Sequence, residues 1–174
     1  MTQLLSRAPA SSGPPSIDVP AALHSARTRA EGSGTRFTRS REYVYRTLLE
    51  SPCPLGAYEI LDRMDAAVGA QKPPTVYRAL DWLLEMGLAH RIATLSKFVA
   101  APLDAAASPV AYLLCRECGQ AEPMEAGPVS ALLHTAVRDA GFRNEDTVIE
   151  VTGLCGSHPR TDTQTLSKPQ GPGS

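Results

Sequence analysis

Apolar residues recur at helical spacing in three successive segments, each bounded by proline, glycine or a capping hydroxyl residue. The segments run from a cap at Thr38 or Ser40 to Ser51-Pro52, from Gly56 to Gly69, and from Pro73-Pro74-Thr75 to Gly87. The run over residues 88–92, the turn residues 94–97 and the pair 98–99 then predict a two-stranded hairpin. Three helices followed by a hairpin is the order of elements in a winged helix-turn-helix.

A second, smaller unit is predicted downstream. Residues 110–114 form an apolar run typical of a buried strand, residues 129–140 have a helical pattern, and residues 147–151 form another strand. Such a strand–helix–strand unit is too small for a secure core, so we expect a metal ion, a dimer partner or both to stabilise it. The predicted fold class is therefore α+β, with an N-terminal winged helix-turn-helix followed by a small α/β dimerisation domain.

Composition divides the chain further. Its start is rich in Ser, Pro, Gly and Ala, with one short helix predicted over residues 21–31, and its end is polar with few apolar side chains. The predicted parts are a disordered tail over 1–19, a winged-helix DNA-binding domain over 20–100, a linker over 101–109, a dimerisation domain over 110–158 that we expect a metal ion to stabilise, and a flexible tail over 159–174.

The charge of the chain is nearly balanced, with 17 Lys+Arg against 18 Asp+Glu. Residues 1–100 contain 12 basic and 9 acidic side chains, whereas residues 101–174 contain 5 and 9, which fits an N-terminal half that meets a polyanion. No apolar run approaches the ~20 residues of a membrane helix, and the first residues lack the pattern of a secretory signal. We therefore expect a soluble, cytoplasmic protein with no membrane partner.

The spacing of three cysteines and one histidine is typical of a structural zinc site. Cys115 and Cys118 are separated by two residues and followed by Gly119, and the same gap separates Cys155 from His158. Two residues between ligands let both side chains face one ion, and a Cys3His set closes a tetrahedral site. This pattern predicts one structural Zn2+ per chain.

Other interpretations of the cysteines remain open. A Cys-x-x-Cys pair can be a thioredoxin-like redox site, although the intervening Arg116 and Glu117 are not typical of one. The cysteines can also be unligated core residues, whereas disulfides are not expected in a reducing compartment. Cys53 lies between two prolines without a partner nearby in sequence, and we expect it to take no part in the site.

The third predicted helix presents polar and aromatic side chains away from its apolar stripe. Arg78 and Tyr77 are of the types that contact guanine edges and thymine methyl groups in the major groove. Phosphates or base edges at the rim are expected to be met by Lys72, Thr75, Arg39, Arg41 and Tyr58. The same pattern also fits a solvated helix face with a half-buried tyrosine.

Residues 72–90, KPPTVYRALDWLLEMGLAH, resemble the signature helix of the ferric uptake regulator superfamily, and within it the zinc uptake regulator branch, where KPPTVYRALDFLLEQG is typical. Residues 56–62 resemble the preceding helix, and residues 38–41 stand where the family has TPQR. The resemblance, which covers residues 20–158, implies a homodimeric metalloregulator that represses genes by binding an AT-rich, palindromic operator in double-stranded DNA. It also implies base contacts by Tyr58 and Arg78, dimerisation through the C-terminal domain, and structural zinc in the four-ligand site.

The sequence departs from the family pattern in both metal sites. The last structural ligand is usually Cys, and here it is His158, which is also a legitimate zinc ligand. The family's second, sensing site uses a His after the signature helix, a Cys at the end of the wing, a His before the next strand and a Glu after the Cys-x-x-Cys pair. His90 matches the first of these, while the next two positions hold Ala100 and Ser108. Glu122 is one residue from the fourth, so His90 and Glu122 are predicted remnants of a site whose regulatory zinc is uncertain.

Two functions follow from these observations. The first is a metal-responsive DNA-binding repressor, with zinc as the expected metal. The alternative is a dimeric DNA-binding protein with structural zinc whose sensing site is degenerate, so that it binds constitutively or answers another signal. We expect no enzyme and no small-molecule substrate, because the sequence has no recognisable catalytic set and the zinc site leaves no open position for water.

Overall fold

The computed structural model describes residues 17–101, 110–143 and 147–158. Four helices and a hairpin form its first half, and a three-stranded sheet with one helix forms its second. The elements are α1 (Val19–Gly32), α2 (Arg39–Leu49), α3 (Ala57–Val68), α4 (Pro73–Glu85), β1 (Ala89–Ile92), β2 (Lys97–Ala100), β3 (Val110–Cys115), β4 (Ala121–Glu125), α5 (Gly127–Asp139) and β5 (Ile149–Gly153).

The helices begin and end where the capping residues predict. The Asp18 carboxylate accepts a hydrogen bond from the N–H of Ala21 at 3.0 Å and caps α1. Of the two caps predicted for α2, Thr38 is the one that forms. At the start of α3, the Glu59 carboxylate accepts a hydrogen bond from the N–H of Gly56. Gly87 follows α4 with a φ of 63°, a left-handed conformation that glycine adopts without strain.

The core of the first half lies between α2, α3 and α4. Its largest fully buried side chains include Tyr45, Ile60, Leu80 and Leu83, and α1 adds a row of buried alanines and Leu23. Burial raises the pKa of Tyr45 to about 12, so the phenol stays neutral at physiological pH. This packing fixes the direction of α4, the helix predicted to meet DNA.

The predicted hairpin forms from β1 and β2, which pair antiparallel from Ala89↔Ala100 to Ile92↔Lys97. We call these two strands with their turn, residues 89–100, the wing. Leu55, in the connection between α2 and α3, exchanges two backbone hydrogen bonds with Phe98 and joins the wing to the helices. The predicted winged helix-turn-helix is confirmed.

The second half has one strand more than predicted. Its sheet has the order β4-β3-β5, with β3 antiparallel to β4 and parallel to β5. The expected strand–helix–strand unit omitted β4, because Pro123 and two acidic residues hide the strand pattern. Proline is tolerated there because β4 is an edge strand.

Helix α5 contributes one buried residue, Ser130, and is otherwise open to solvent within a single chain. In the described residues of this half, seven large apolar side chains are exposed: Met124, Val129, Leu132, Leu133, Phe142, Val148 and Val151. Exposed apolar surface on a small domain favours an interaction with a partner. No helix in the described ranges is long and apolar enough to cross a membrane.

The predicted domain boundaries remain predictions. Residues 1–16, 102–109 and 159–174, which include most of the two predicted tails and of the linker, lie outside the described residues. The described elements on either side of 102–109 belong to the winged helix and to the three-stranded sheet.

Candidate metal centre and nucleic-acid interface

The structure brings the four predicted zinc ligands together. One potential ligand atom from each of Cys115, Cys118, Cys155 and His158 lies within 4.8 Å of every other. Parallel pairing of β3 with β5 is the cause, because it places the ends of both strands at the same edge of the sheet. Cys115 is opposite Gly153, and the N–H of Arg116 donates to the carbonyl of Gly153 at 3.0 Å. Each ligand pair therefore follows the end of one strand.

The distances within this cluster suit a tetrahedral ion. The sulfurs of Cys118 and Cys155 are 3.8 Å apart, close to the roughly 3.8 Å edge of a tetrahedron with Zn–S bonds near 2.3 Å. Nδ1 of His158 lies 3.7 Å from Sγ of Cys115 and 3.1 Å from Sγ of Cys155. Three thiols and one imidazole, with the edges of a small tetrahedron, form a donor set that fits zinc.

The pKa values of the three cysteines and of His158 are shifted in different directions. N–H groups of Cys118 and Cys155 donate to the Cys115 sulfur and lower its pKa to about 6. The hydrogen bond between Cys155 and His158 lowers the pKa of the thiol and raises the pKa of the imidazole. The N–H of Gln120 lowers the pKa of Cys118, but burial and the neighbouring sulfurs outweigh it and raise that pKa overall. Thiolate character, which metal ligation requires, is thus already favoured at Cys115 and Cys155.

The Cys-x-x-Cys pair lies in a turn between β3 and β4, whereas a thioredoxin-like pair opens a helix. This placement favours the metal interpretation over the redox one. Cys53, expected to be uninvolved, lies nearby: its thiol donates to the carbonyl of Cys118 at 3.5 Å. No local sequence pattern predicts this contact between the α2–α3 connection and the metal cluster, because the two segments are far apart along the chain.

Most side chains predicted to meet DNA are exposed. Tyr58 and Tyr77 are 66% and 43% exposed, while Val76 and Leu80 on the other side of α4 are buried. Nε of Arg78 donates to the carbonyl of Pro74 at 3.2 Å, and its other N–H groups make no hydrogen bond within the described parts of the chain. Of the predicted rim residues, Lys72 and Arg39 are exposed and Thr75 is half-buried.

Arg41, also predicted to contact DNA, makes two contacts within the protein. Its guanidinium lies over the ring of Trp82, with Cζ 4.3 Å from the centroid, and also donates to the carbonyl of Arg36. This cation–π contact packs the start of α2 against α4. A phosphate contact by Arg41 stays a prediction.

His90 and Glu122, the predicted remnants of a sensing site, belong to no metal-binding group of three or more ligands in the described ranges. His90 lies on β1 and is half-buried, and Glu122 lies on β4 and is exposed. Ala100 ends β2, and Ser108 lies outside the described residues. The structure therefore gives no support to a metal site built from His90 and Glu122.

The comparisons with known proteins agree with this architecture. Residues 32–152 match the ferric uptake regulator family. The chain belongs to the ferric uptake regulator family. The predicted resemblance is confirmed, and so is the expectation that the protein is a regulator rather than an enzyme.

Several of the similar proteins are zinc uptake regulators. The zinc uptake regulation protein of Escherichia coli K12 is 36% identical over 123 residues, which cover 70% of this chain and 72% of that protein. A solved zinc uptake regulator in complex with zinc and DNA is 32% identical, with a TM-score of 0.77 over 81% of this chain and 95% of its own. Holo XcZur is also 32% identical, with a TM-score of 0.72 over 79% and 96%. The Helicobacter pylori ferric uptake regulator, 15% identical with a TM-score of 0.54 over 85% of this chain and 98% of its own, shares the fold.

Proposed function

We propose that this protein is a metal-responsive transcriptional repressor that binds double-stranded operator DNA as a homodimer, and that zinc is its metal. The observation that carries the proposal is the division of α4 into two sides. Val76, Leu80 and Leu83 bury one side in the core, while Tyr77 and Arg78 are exposed on the other, near the start of the helix. A helix that enters the major groove presents its base-contacting residues in this position.

Specificity would come from a few exposed side chains. The guanidinium of Arg78 offers paired N–H donors for O6 and N7 of a guanine, and Tyr77 and Tyr58 offer aromatic surface for thymine methyl groups. Lys72 is the N-cap of α4 and Arg39 is the first residue of α2, positions at which the helix dipole also favours a phosphate. The DNA-bound relative with a TM-score of 0.77 supports this use of the fold.

Dimerisation would bury exposed apolar side chains of the second half. Leu132 is 74% exposed and Phe142 is 71% exposed, which is unusual for large apolar residues unless a partner covers them. A homodimer with twofold symmetry would place two winged helices on two half-sites, so the operator should be palindromic. The resemblance further predicts an AT-rich sequence.

The Cys3His cluster would hold one structural zinc ion per chain. When bound, the ion supplies a permanent cross-link between the ends of β3 and β5. Cys115, Cys118, Cys155 and His158 fill all four positions, so this ion has no open site for water or substrate. Its role is to stabilise the dimerisation domain, and through it the spacing of the two DNA-binding halves.

A second candidate function differs in the signal. The protein would bind the same DNA without a regulatory zinc ion, because two of the four sensing positions hold Ala100 and Ser108. The observation that favours it is that, among the described residues, His90 belongs to no group of three or more possible metal ligands.

A genome-wide map of binding, made in cells with and without added zinc, tests the proposal. We expect bound fragments to share a palindrome and to lie at promoters, and transcription from those promoters to rise when the gene for this protein is deleted. A map without an enriched sequence, or promoters that fall silent on deletion, would contradict a repressor. Occupancy that depends on zinc supports the first candidate, and constant occupancy supports the second.

A further inference from the structure

One carboxylate of the second half of the chain contacts the turn of the wing. Glu150, on β5, accepts two hydrogen bonds from the turn of the wing: Oε1 from the N–H of Ala93 at 2.6 Å, and Oε2 from the N–H of Thr94 at 3.1 Å. Both carboxylate oxygens are used. The two donors come from consecutive backbone amides, whose direction is fixed by the turn rather than by a side-chain rotamer.

The turn leaves these two amides available. The ladder between β1 and β2 ends at the pair Ile92↔Lys97, so Ala93 and Thr94 lie beyond it. The turn itself is closed by other groups, with the N–H of Leu95 donating to the carbonyl of Ile92 and the N–H of Ser96 donating to that of Ala93. Glu150 is the partner of the remaining two, and hydrogen bonds of backbone amides to a carboxylate are among the stronger ones in proteins.

Apolar packing accompanies the carboxylate. Ile92 of the wing forms one buried cluster with Tyr112 and Leu114 of β3, and all three are at most 4% exposed. Val99, on the second strand of the wing, also packs against this cluster. The wing is therefore held by a polar contact at its tip and by an apolar contact along its strands.

We propose that Glu150 is a positioning residue that holds the wing against the dimerisation domain, and so sets the orientation of the DNA-binding half without a regulatory metal ion. The inference rests on the operator binding that both candidate functions share, since its effect is seen through DNA binding. A sensing ion would have to join the same two parts of the chain, and the contact made by Glu150 joins them directly. Neither Glu150 nor its donors belong to the Cys3His cluster.

The effect of this contact on DNA binding depends on the fraction of molecules in which the wing is held in this orientation. If only the held orientation fits both half-sites, the apparent dissociation constant rises as the fraction of molecules in that orientation falls. Glu150→Gln keeps the shape of the side chain but replaces one acceptor oxygen by an N–H2 donor that faces another donor. We expect it to weaken operator binding by about tenfold or more.

A second variant acts on the contact from the wing. Ala93 is the second residue of the turn closed by the Leu95 N–H and the Ile92 carbonyl, a position that favours proline. Ala93→Pro removes one of the two donors, leaves the second half of the chain unchanged and preserves the turn. If both variants act on one contact, the double variant should lose little more affinity than the weaker-binding single variant.

The experiment uses the full-length dimer loaded with zinc and then treated with a mild chelator until about one zinc per chain remains. Binding of the operator duplex recovered from the genome-wide map is measured by fluorescence anisotropy for the natural protein, both variants, the double variant and Glu125→Gln. Glu125 is an exposed carboxylate on β4 and serves as the matched control. Hydrogen exchange is followed by NMR at the amide of Thr94 in every sample, and at the amide of Ala93 in the samples that keep this alanine.

The proposal predicts faster exchange at both amides in Glu150→Gln and a loss of about tenfold in the affinity of each single variant. It also predicts non-additive losses in the double variant and natural affinity in Glu125→Gln. Unchanged affinity, or losses that add, would overturn it, provided that zinc content and dimer mass are natural. If Glu150→Gln fails to fold, Ala93→Pro decides the question alone. Failure of the proposed function is distinct, because the natural protein itself would then select no operator.

Discussion

The imidazole of His90 lies against the phenol ring of Tyr112, with ring centroids 5.5 Å apart and ring planes inclined at 56°. His90 belongs to the wing and Tyr112 to β3, so the contact crosses the boundary between the two halves. The Tyr112 hydroxyl is buried without a hydrogen-bond partner in the described structure, and burial raises its pKa. The histidine that the family pattern would assign to a sensing ion thus has an aromatic ring of the second half as a neighbour.

The degenerate sensing site of the second candidate function predicts a weak response to zinc. Two ligands plus waters bind zinc weakly, which leaves little differential affinity to shift the dimer between orientations. Added zinc, at levels well below millimolar, should change operator affinity by less than about tenfold, or 1.4 kcal/mol. A titration of operator binding against buffered free zinc measures this change.

A steep gain in affinity at sub-micromolar zinc, abolished by His90→Ala, would contradict that prediction. It would show that the site has been rebuilt with ligands that positional matching does not find. Candidates are Glu117 and His24, which are exposed, and Asp104, which lies outside the described residues.

Loss of a zinc ligand should unfold the second half of the chain. Cys115→Ser removes a ligand at the end of β3, and the binding free energy of structural zinc, about 10–16 kcal/mol in small domains, is folding free energy. We expect a monomer with less than one zinc per chain and a folded winged helix, measured by metal analysis, light scattering and circular dichroism.

Cys53→Ser is the matched control for this loss. Its thiol touches the carbonyl of Cys118 at 3.5 Å but is not a member of the ligand cluster. The variant should keep one zinc per chain. A folded, dimeric Cys115→Ser protein without metal would refute the structural role of zinc.

Arg78→Ala tests base recognition. If the guanidinium makes a bidentate contact to a base, the variant should lose about 1–3 kcal/mol on the operator and less on random DNA. Arg143→Ala, an exposed arginine of the second half, should bind both DNAs like the natural protein. Equal losses on both DNAs would place Arg78 on phosphates instead, and no loss would remove it from the interface.

The dimer face can be disrupted at its most exposed leucine. Leu132→Glu should give a monomer at micromolar concentration, because burying one leucine contributes about 1.5–3 kcal/mol and a twofold interface contains it twice. Val68→Glu, at a site 55% exposed on α3, is the control and should remain dimeric. Sedimentation equilibrium distinguishes the two, and a dimeric Leu132→Glu protein would exclude this face.

Glu59 links stability to pH in the first half. The Gly56 N–H and then Lys97, at 3.0 Å, lower the pKa of this carboxyl below its ordinary value of 4.5. Its stabilisation is therefore complete above the ordinary value and is lost as the pH falls through the lower, folded value. Glu59→Gln should cost under about 1 kcal/mol at pH 7, since the pair is solvent-exposed, and nothing in strong acid. Urea titration followed by the fluorescence of the single tryptophan, Trp82, reports on this half; an equal cost at both pH values would contradict the linkage.

Local signals in the sequence predicted most of the fold. The capping residues and glycines placed the ends of α1 to α4 within a few residues, because cap chemistry is decided by neighbours in the chain. The strand β4 was missed because an edge strand tolerates the proline and acids that normally argue against one.

The candidate site was predictable only in part. The Cys3His set was found because pairs of ligands two residues apart have a spacing that metal geometry demands. Glu150 and Tyr112 had no such signal, since each is an ordinary residue of a short strand and acquires its role from the tertiary contact with the wing. The cation–π contact between Arg41 and Trp82 could not be predicted from the sequence either, because a basic residue near the start of a helix can contact a phosphate as readily as an aromatic ring.

The parallel pairing of β3 with β5 ties zinc capture to a late stage of synthesis. The first two ligands emerge from the ribosome at Cys115 and Cys118, but the other two follow only after α5 and β5 have been made. The winged helix is complete by Ala100 and can fold while translation continues. In a cell starved of zinc, newly made chains would therefore contain a folded winged helix but no folded dimerisation domain. Each chain would remain a monomer and could bind only one half-site of an operator.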